Sequence, residues 1–134
     1  MVYAEIELIN QADLIAAEKN QLGLEEVKHM QVKMLVDSGS ILLAINESIQ
    51  EYLQLPLAYR QRFRLAQDQA EEMDVVGPVQ VKFRNRISIC NAILLPGNSE
   101  PLLGAIPLEE MDLLIDPFNQ ELVANPELRR GRYL

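Results

Sequence analysis

A carboxylate, a hydroxyl residue and a glycine follow one another in Asp37-Ser38-Gly39-Ser40. Residues 30–36 before it alternate apolar and polar side chains, and residues 41–45 after it form a short apolar run. Glycine permits a tight bend that can aim the preceding carboxylate into a cleft, and a serine hydroxyl can hold such a loop by donating to a nearby carbonyl. An isolated triplet of this kind is more often an ordinary β-turn. The tetrapeptide is therefore either a plain turn or a loop that presents a catalytic carboxylate.

Other catalytic and metal-binding chemistries are limited by the residue counts. The single cysteine, Cys90, excludes an internal disulfide and a zinc site built from cysteines. The single histidine, His29, excludes a two-histidine motif such as H-E-x-x-H, and any Ser-His-Asp or Cys-His nucleophile would have to use it. We interpret His29 as a surface or capping residue and Cys90 as a structural thiol. We expect neither a metal nor a cofactor.

The composition is typical of one globular domain. The chain has 134 residues, 49% of them hydrophobic and 24% charged, so it needs no disulfide or metal to fold. Its net charge of −8 disfavours a general binder of nucleic acid or of anionic membranes. The first residues lack the basic start of a signal peptide, and no stretch approaches the roughly 18 apolar residues of a membrane span. We therefore expect a cytoplasmic protein with no nucleic-acid or membrane partner.

A period of two in hydrophobicity dominates the chain and predicts short strands. The predicted strands lie at residues 2–8, 30–36, 41–45, 59–65, 73–76, 79–83 and 87–95, with a last hairpin at 113–115 and 121–123. Short helices are predicted between residues 10 and 26, after the N-cap residue Asn46 with Tyr52 on its apolar face, and around Pro107. Gly77-Pro78 would break the chain between strands. The pattern indicates a mostly-β protein, either a small barrel or a folded-over sheet.

The order of these features resembles the retroviral-type aspartic proteases, and more closely the small bacterial proteins predicted to share that fold. The segments that carry the resemblance are Val32-Lys33-Met34-Leu35-Val36-Asp37-Ser38-Gly39-Ser40, Pro101-Leu102-Leu103-Gly104-Ala105-Ile106 and Leu114-Ile115-Asp116-Pro117. The resemblance implies an all-β, retropepsin-like closed acid-protease barrel with two or three short helices over residues 1–125. Residues 10–30 would be a helical insertion atypical of the family, and residues 126–134 a peripheral tail.

The same resemblance implies an aspartic endopeptidase that works as a homodimer. Each chain would contribute one Asp37, because the sequence contains no second Asp-[Ser/Thr]-Gly. Two carboxylates that lie so close share a proton. The ionised one would act as general base on a water that attacks the peptide carbonyl, and the protonated one as acid toward the carbonyl oxygen. The partners implied are a second copy of the chain and a peptide or protein substrate.

The resemblance also assigns supporting roles around the catalytic loop. Ser38 would hydrogen-bond across the dimer beneath the two carboxylates, and Gly39 would form the bend. Ser40 would donate to the outer oxygen of the carboxylate. The strand Leu102-Leu103-Gly104 would cross behind the loop.

A hairpin flap would cover the substrate, with Gln67, Asp68 and Gln69 as its substrate-binding residues. The polar stretch that contains them, residues 66–72, has no glycine and three acidic residues. A stiff, acidic flap would favour basic peptides or no peptide. The alternating residues Arg60, Arg62 and Arg64 form either a solvated face or a site for an anionic partner. The alternative function is therefore a catalytically silent, dimeric binding module that uses the cleft or this arginine face.

Overall fold

The computed structural model describes residues 1–64 and 68–126 of the chain. Within them, the strands are β1 (Val2–Asn10), β2 (His29–Val36), β3 (Leu43–Asn46), β4 (Leu57–Arg64), β5 (Ala70–Phe83), β6 (Arg86–Leu95), β7 (Leu102–Leu103), β8 (Leu113–Asp116) and β9 (Glu121–Ala124). The α-helices are α1 (Gln11–Glu18), α2 (Glu47–Leu53) and α3 (Ala105–Glu110), and a 3₁₀ turn spans Leu24–Glu26. The predicted mostly-β fold with short helices is confirmed.

One sheet contains most of these strands, in the order β1-β2-β7-β3-β6-β5-β4. β1 also pairs with β5, from Glu7 opposite Lys82 to Asn10 opposite Val79. The strands β1, β2, β7, β3, β6 and β5 therefore form a ring, as the strands of a small barrel do. β4 lies outside this ring and pairs with β5, while β8 and β9 form a separate two-stranded hairpin.

The core follows from the alternation in the sequence. In β1 the side chains of Val2, Ala4, Ile6 and Leu8 are buried, whereas the residues between them are exposed or half-buried. β2 lies antiparallel to β1 with Ile6 opposite Val32, so the apolar side chains of both strands point to the same side. Burial of these side chains inside the ring is the main favourable contribution to folding.

Two predicted interruptions are wrong, because both lie within β5. Residues 70–72 of the polar stretch are strand, since Glu71 pairs with Phe63 and Glu72 with Arg62 across the β4–β5 hairpin. The predicted break at Gly77-Pro78 is a change of register between Val76 and Val79, after which β5 continues along β6. Proline lacks a backbone N–H for the sheet, and a bulge accommodates it without ending the strand.

The apolar run at residues 41–45 is shorter as a strand than predicted. β3 begins at Leu43, and the side chain of Ile41 is 69% exposed. In α2, Asn46 is the N-cap as predicted, and its side chain accepts a hydrogen bond from the Ile49 amide at 3.0 Å. Tyr52 was expected on the apolar face of α2 but is exposed, because only Ile49 and Leu53 of this helix point into the core.

The segment at residues 10–30 is attached to the barrel through Asn10. This residue is buried, and its side chain accepts a hydrogen bond from the Asp13 amide and donates one to the Leu53 carbonyl at 2.9 Å. The Lys28 amide donates to Asp13, which ties the end of the segment to its beginning. α1 itself has no buried residue. The predicted tail at residues 126–134 lies outside the described residues except for Pro126. None of the described helices is long and apolar enough to cross a membrane.

Candidate active site

The loop that carries Asp37 begins where β2 ends. The Asp37 amide donates to the Leu103 carbonyl at 3.0 Å, and the Ser40 amide donates to the Asp37 carbonyl at 3.1 Å. The carboxylate oxygen Oδ1 accepts a hydrogen bond from the Gly39 amide at 2.9 Å. The aspartate is thus held on both sides by main-chain groups, in the manner of an Asx-turn. Asp37 is half-buried, and the loop bonds one of its two carboxylate oxygens.

The strand predicted to cross behind the loop lies directly against it. β7 is parallel to β2, with Leu102 opposite Leu35 and Leu103 opposite Val36, and Leu102 also pairs with Ala44 of β3. The side chain of Leu103 is fully buried. β7 therefore lies between the two strands that flank the Asp37 loop.

Gly104 occupies a position with no room for a side chain. A Cβ atom there would lie 2.7 Å from the Ser40 carbonyl oxygen and would overlap the Leu42 carbonyl group. The next residues begin α3, where the Ala105 amide donates to the Ser40 carbonyl at 2.7 Å and the Ile106 amide to the Ile41 carbonyl at 2.9 Å. Glycine at residue 104 allows the loop and the start of α3 to approach closely enough for these bonds.

The two loop serines differ from each other in their surroundings. The Ser40 hydroxyl donates to the Leu42 carbonyl at 3.2 Å, rather than to the outer oxygen of Asp37 as the resemblance implied. A hydroxyl has one hydrogen, so Ser40 stabilises the loop in this arrangement and leaves the carboxylate to the Gly39 amide. Ser38 is exposed beside a small pocket that includes Leu108 of α3 and residues 113–115 of β8. Its hydrogen bond to a second chain stays a prediction.

A cleft of about 610 Å³ opens beside the loop. Three parts of the chain line it: the loop, the β4–β5 hairpin, and the face of the sheet that is turned away from the core. The lining residues are Gly39, Ser40, Ile41, Leu42, Ala44, Tyr59, Gln61, Phe63, Arg64, Met73, Ile93, Leu95 and Leu102. Most of these side chains are aliphatic or aromatic, so the cleft can bind an apolar side chain and expel water from it. Asp37 is not among the lining residues; it lies in the same loop, two residues before Gly39.

The hairpin covers the cleft through residues other than the predicted ones. Asp68 and Gln69 are exposed at its turn and do not line the cleft, and Gln67 lies outside the described residues. The hairpin lines the cleft instead with side chains of the two strands: Tyr59, Gln61, Phe63, Arg64 and Met73. The alternation of Tyr59, Gln61 and Phe63 with arginines was visible in the sequence, but it does not say which face is turned to a cleft.

Arg60 and Arg64 of the hairpin lie at different pockets and do not form one surface. The Arg60 guanidinium lies 2.8 Å from Asp74 and 3.7 Å from Glu72, and it borders a separate pocket of about 200 Å³. Glu71 and Glu72 border this second pocket and not the cleft. Arg64 lines the cleft itself. Glu71 and Glu72 are therefore placed away from the large cleft, whereas Asp68 is paired with the cleft-lining Arg64.

The other residues considered from the sequence lie outside this site. In the part of the chain that the structure describes, no three histidine, cysteine or acidic residues form a group that could hold a metal ion. His29 is exposed, with Nδ1 3.2 Å from a carboxylate oxygen of Glu7. Burial raises the pKa of the Cys90 thiol to about 11. Such a thiol remains protonated at neutral pH and is a poor nucleophile.

Comparison with known proteins identifies the fold. No protein-family model and no curated protein sequence matches the chain. Among solved structures, the chain is similar to the retroviral protease-like domain of Ddi1 from Leishmania major, with a TM-score of 0.56 and 14% sequence identity. The match covers 94% of this chain and 90% of that domain. This chain therefore has the fold of a retroviral protease-like domain.

Proposed function

We propose that the protein is an aspartic endopeptidase that hydrolyses peptide bonds with a water activated by two Asp37 side chains, one from each chain of a homodimer. The observation that carries the proposal is the Asp37-Ser38-Gly39 loop, which main-chain hydrogen bonds fix against β7 at the edge of an apolar cleft. The retroviral protease-like fold supports the same reading. The proposal includes a bacterial branch of this fold and a cytoplasmic location, and both of these rest on the sequence alone.

The chemistry requires the second chain. A single carboxylate can serve as a base or as an acid, but the reaction needs both at once. Two carboxylates brought together hold one proton between them, so the pair supplies a base for the attacking water and an acid for the carbonyl oxygen. Water attacks the carbonyl carbon, the tetrahedral intermediate collapses, and the amine leaves with a proton from the pair. No covalent intermediate forms on the protein.

Apolar side chains near Ser38 support a dimer through this side of the molecule. Ile106 at the start of α3 is 40% exposed and Leu114 in β8 is 48% exposed. Leu114 borders the small pocket that also contains Ser38. A second copy that covered these residues would bury apolar surface and bring the two Asp37 loops together.

The test compares the purified protein with the Asp37→Asn variant. A mixed peptide library is incubated with each across roughly pH 3 to 7, the range in which a carboxylate pair titrates. We expect cleavage by the wild-type protein and a loss of about 10²-fold or more in the variant. Equal cleavage by both proteins would contradict the mechanism. Sedimentation at micromolar concentration is the second measurement, since a monomer cannot assemble the pair.

The alternative is a catalytically silent, dimeric binding module of the same fold. The observation that favours it is that the cleft lining in one chain is complete without Asp37. In that case the protein would bind peptides in the cleft equally well with aspartate or asparagine at residue 37, and neither form would cleave them. A confirmed dimer that binds but does not cleave the library would favour this function.

A further inference from the structure

We propose that Arg64 makes the cleft selective for an extended peptide in which an acidic residue lies close to an apolar one. The inference rests on the proposed function, because it concerns the substrate of the same cleft. It starts from the lining of the cleft, in which Arg64 is the only charged side chain among the described residues. The aliphatic walls would take the apolar side chain, and the guanidinium would take the carboxylate.

Arg64 differs from the other two arginines of β4 in what surrounds it. Arg60 is already paired with Asp74 and Glu72 and borders the second pocket. Arg62 pairs with Glu72 in the strand register and lines neither pocket. Alternation would put all three on one face, but of the three only Arg64, the last residue of β4, lines the cleft. Only Arg64 can therefore meet a bound peptide there.

In the free protein, Arg64 forms a weak ion pair with Asp68. Its guanidinium lies 3.3 Å from the Asp68 carboxylate, and these side chains are 78% and 84% exposed. Ion pairs that are this exposed contribute little to stability, because water and salt screen them. A peptide carboxylate held in the cleft would be less hydrated and could accept two parallel hydrogen bonds from the planar guanidinium. The Asp68 pair therefore offers little competition to a substrate carboxylate.

The net charge of the protein has the opposite effect on acidic peptides, so a preference caused by Arg64 can be distinguished from long-range electrostatic attraction. The chain has a net charge of −8, so its long-range field repels acidic peptides. A preference for an acidic residue at one peptide position, against that field, must come from a local contact. The prediction is also opposite to the basic-peptide preference expected from the acidic residues of the hairpin.

The experiment uses peptides with an apolar central pair, in which one glutamate is moved through the flanking positions and compared with glutamine and lysine. We expect kcat/KM to be about tenfold higher for glutamate than for glutamine at one position, which corresponds to about 1.4 kcal/mol. Arg64→Glu should reverse the preference at that position toward lysine. Arg62→Glu is the matched control, with the same change of charge two residues away, and should keep the wild-type preference.

A second readout separates this inference from the proposed function. Fluorescence anisotropy measures binding of the same peptides to the wild-type protein and to Asp37→Asn. Binding with an Arg64-dependent glutamate preference but no cleavage would support the inference and overturn the peptidase. Cleavage with no position that favours glutamate, or with the same loss in the Arg62→Glu control, would overturn the inference and leave the peptidase. Neither binding nor cleavage of any peptide would overturn both.

Discussion

The Asp37 loop and the β4–β5 hairpin face each other across the cleft and are held in different ways. The loop is fixed by main-chain hydrogen bonds to β7 and α3, over the fully buried side chain of Leu103. The hairpin projects from the ring, and in β4 only Phe63 is half-buried while the other side chains are exposed. The ion pairs of β4 with Glu72, Asp74 and Asp68 are exposed to water.

This difference separates two requirements of a site of this kind. A group that reacts must be held within a fraction of an ångström, and main-chain hydrogen bonds like those of the Asp37 loop can hold it there. A cover must admit an extended chain and close over it, and a segment with few buried contacts opens at a low free-energy cost. Substitutions should therefore lower stability more at the loop and its backing strand than in the exposed strand β4 of the hairpin.

The largest expected effect is at Leu103. Leu103→Ala removes a fully buried side chain from behind the loop and should lower the free energy of unfolding by about 3 kcal/mol, because it leaves a cavity in the core. Leu57→Ala in β4 is the matched control, since Leu57 is 59% exposed, and should change stability by less than about 0.5 kcal/mol. Urea denaturation followed by circular dichroism measures both. Similar losses at the two positions would contradict the comparison.

Gly104→Ala should have the next largest effect. The new Cβ would meet the Ser40 and Leu42 carbonyl groups, which are main chain and cannot rotate away, so we expect a loss of about 2 kcal/mol. Gly97→Ala is the control for glycine replacement, since it has open space but a φ of +57°. It should lose only about 1 kcal/mol from backbone strain. A Gly104→Ala protein as stable as the wild type would mean that the loop and β7 can separate without cost.

The stability of the protein at alkaline pH should depend on the Cys90 thiol. Cys90 lies in β6, which pairs with β3 after the loop and with β5 of the hairpin. Its pKa is raised to about 11 in the folded protein, above that of an unfolded cysteine. The folded state then binds more protons above about pH 9, so stability falls as the pH rises from about 9 to about 11. At pH 10 the loss should be about 1 kcal/mol larger in the wild type than in Cys90→Ala. Identical pH profiles for the two proteins would show that the thiol is not shielded by burial.

The smallest expected effect is at Arg60. Arg60→Ala removes an exposed ion pair with Asp74 and should cost about 0.5 kcal/mol at low salt. The loss should disappear in about 1 M salt, where the screening length is about 3 Å. Arg62→Ala, which removes an arginine with no ion pair among the described residues, should be neutral under both conditions. A loss above about 2 kcal/mol at Arg60 would mean that the hairpin is as tightly fixed as the loop.

Much of the framework could be predicted from local patterns. The alternation in β1 and β2 predicts two strands with one buried face, and both lie where they were expected. Asn46 begins α2 because its side chain caps the helix, which is a property of neighbouring residues. The residue types of Asp37-Ser38-Gly39-Ser40 indicate a turn, and the resemblance to the retroviral-type proteases places Leu102-Leu103-Gly104 behind it.

Other features required the whole structure. The continuation of β5 through residues 70–72 and past Gly77-Pro78 depends on hydrogen-bonding partners in β4 and β6. Ile41 is apolar yet exposed, and it lines the open cleft instead of the core. A sequence pattern contains no information on which distant strand will pair with a segment, so these features were missed.

The sequence by itself determined the strand pattern and the position of the Asp37 turn, because each depends on the types of neighbouring residues. The reason for glycine at residue 104 is tertiary, since the Ser40 and Leu42 carbonyl groups that leave no room for a side chain are distant in the chain. Only the tertiary structure decided that Tyr59, Gln61, Phe63 and Arg64 face the cleft, while Arg60, Glu71 and Glu72 border another pocket. The period of a strand defines two faces, but the burial and partners of each face are set by elements far away in the chain.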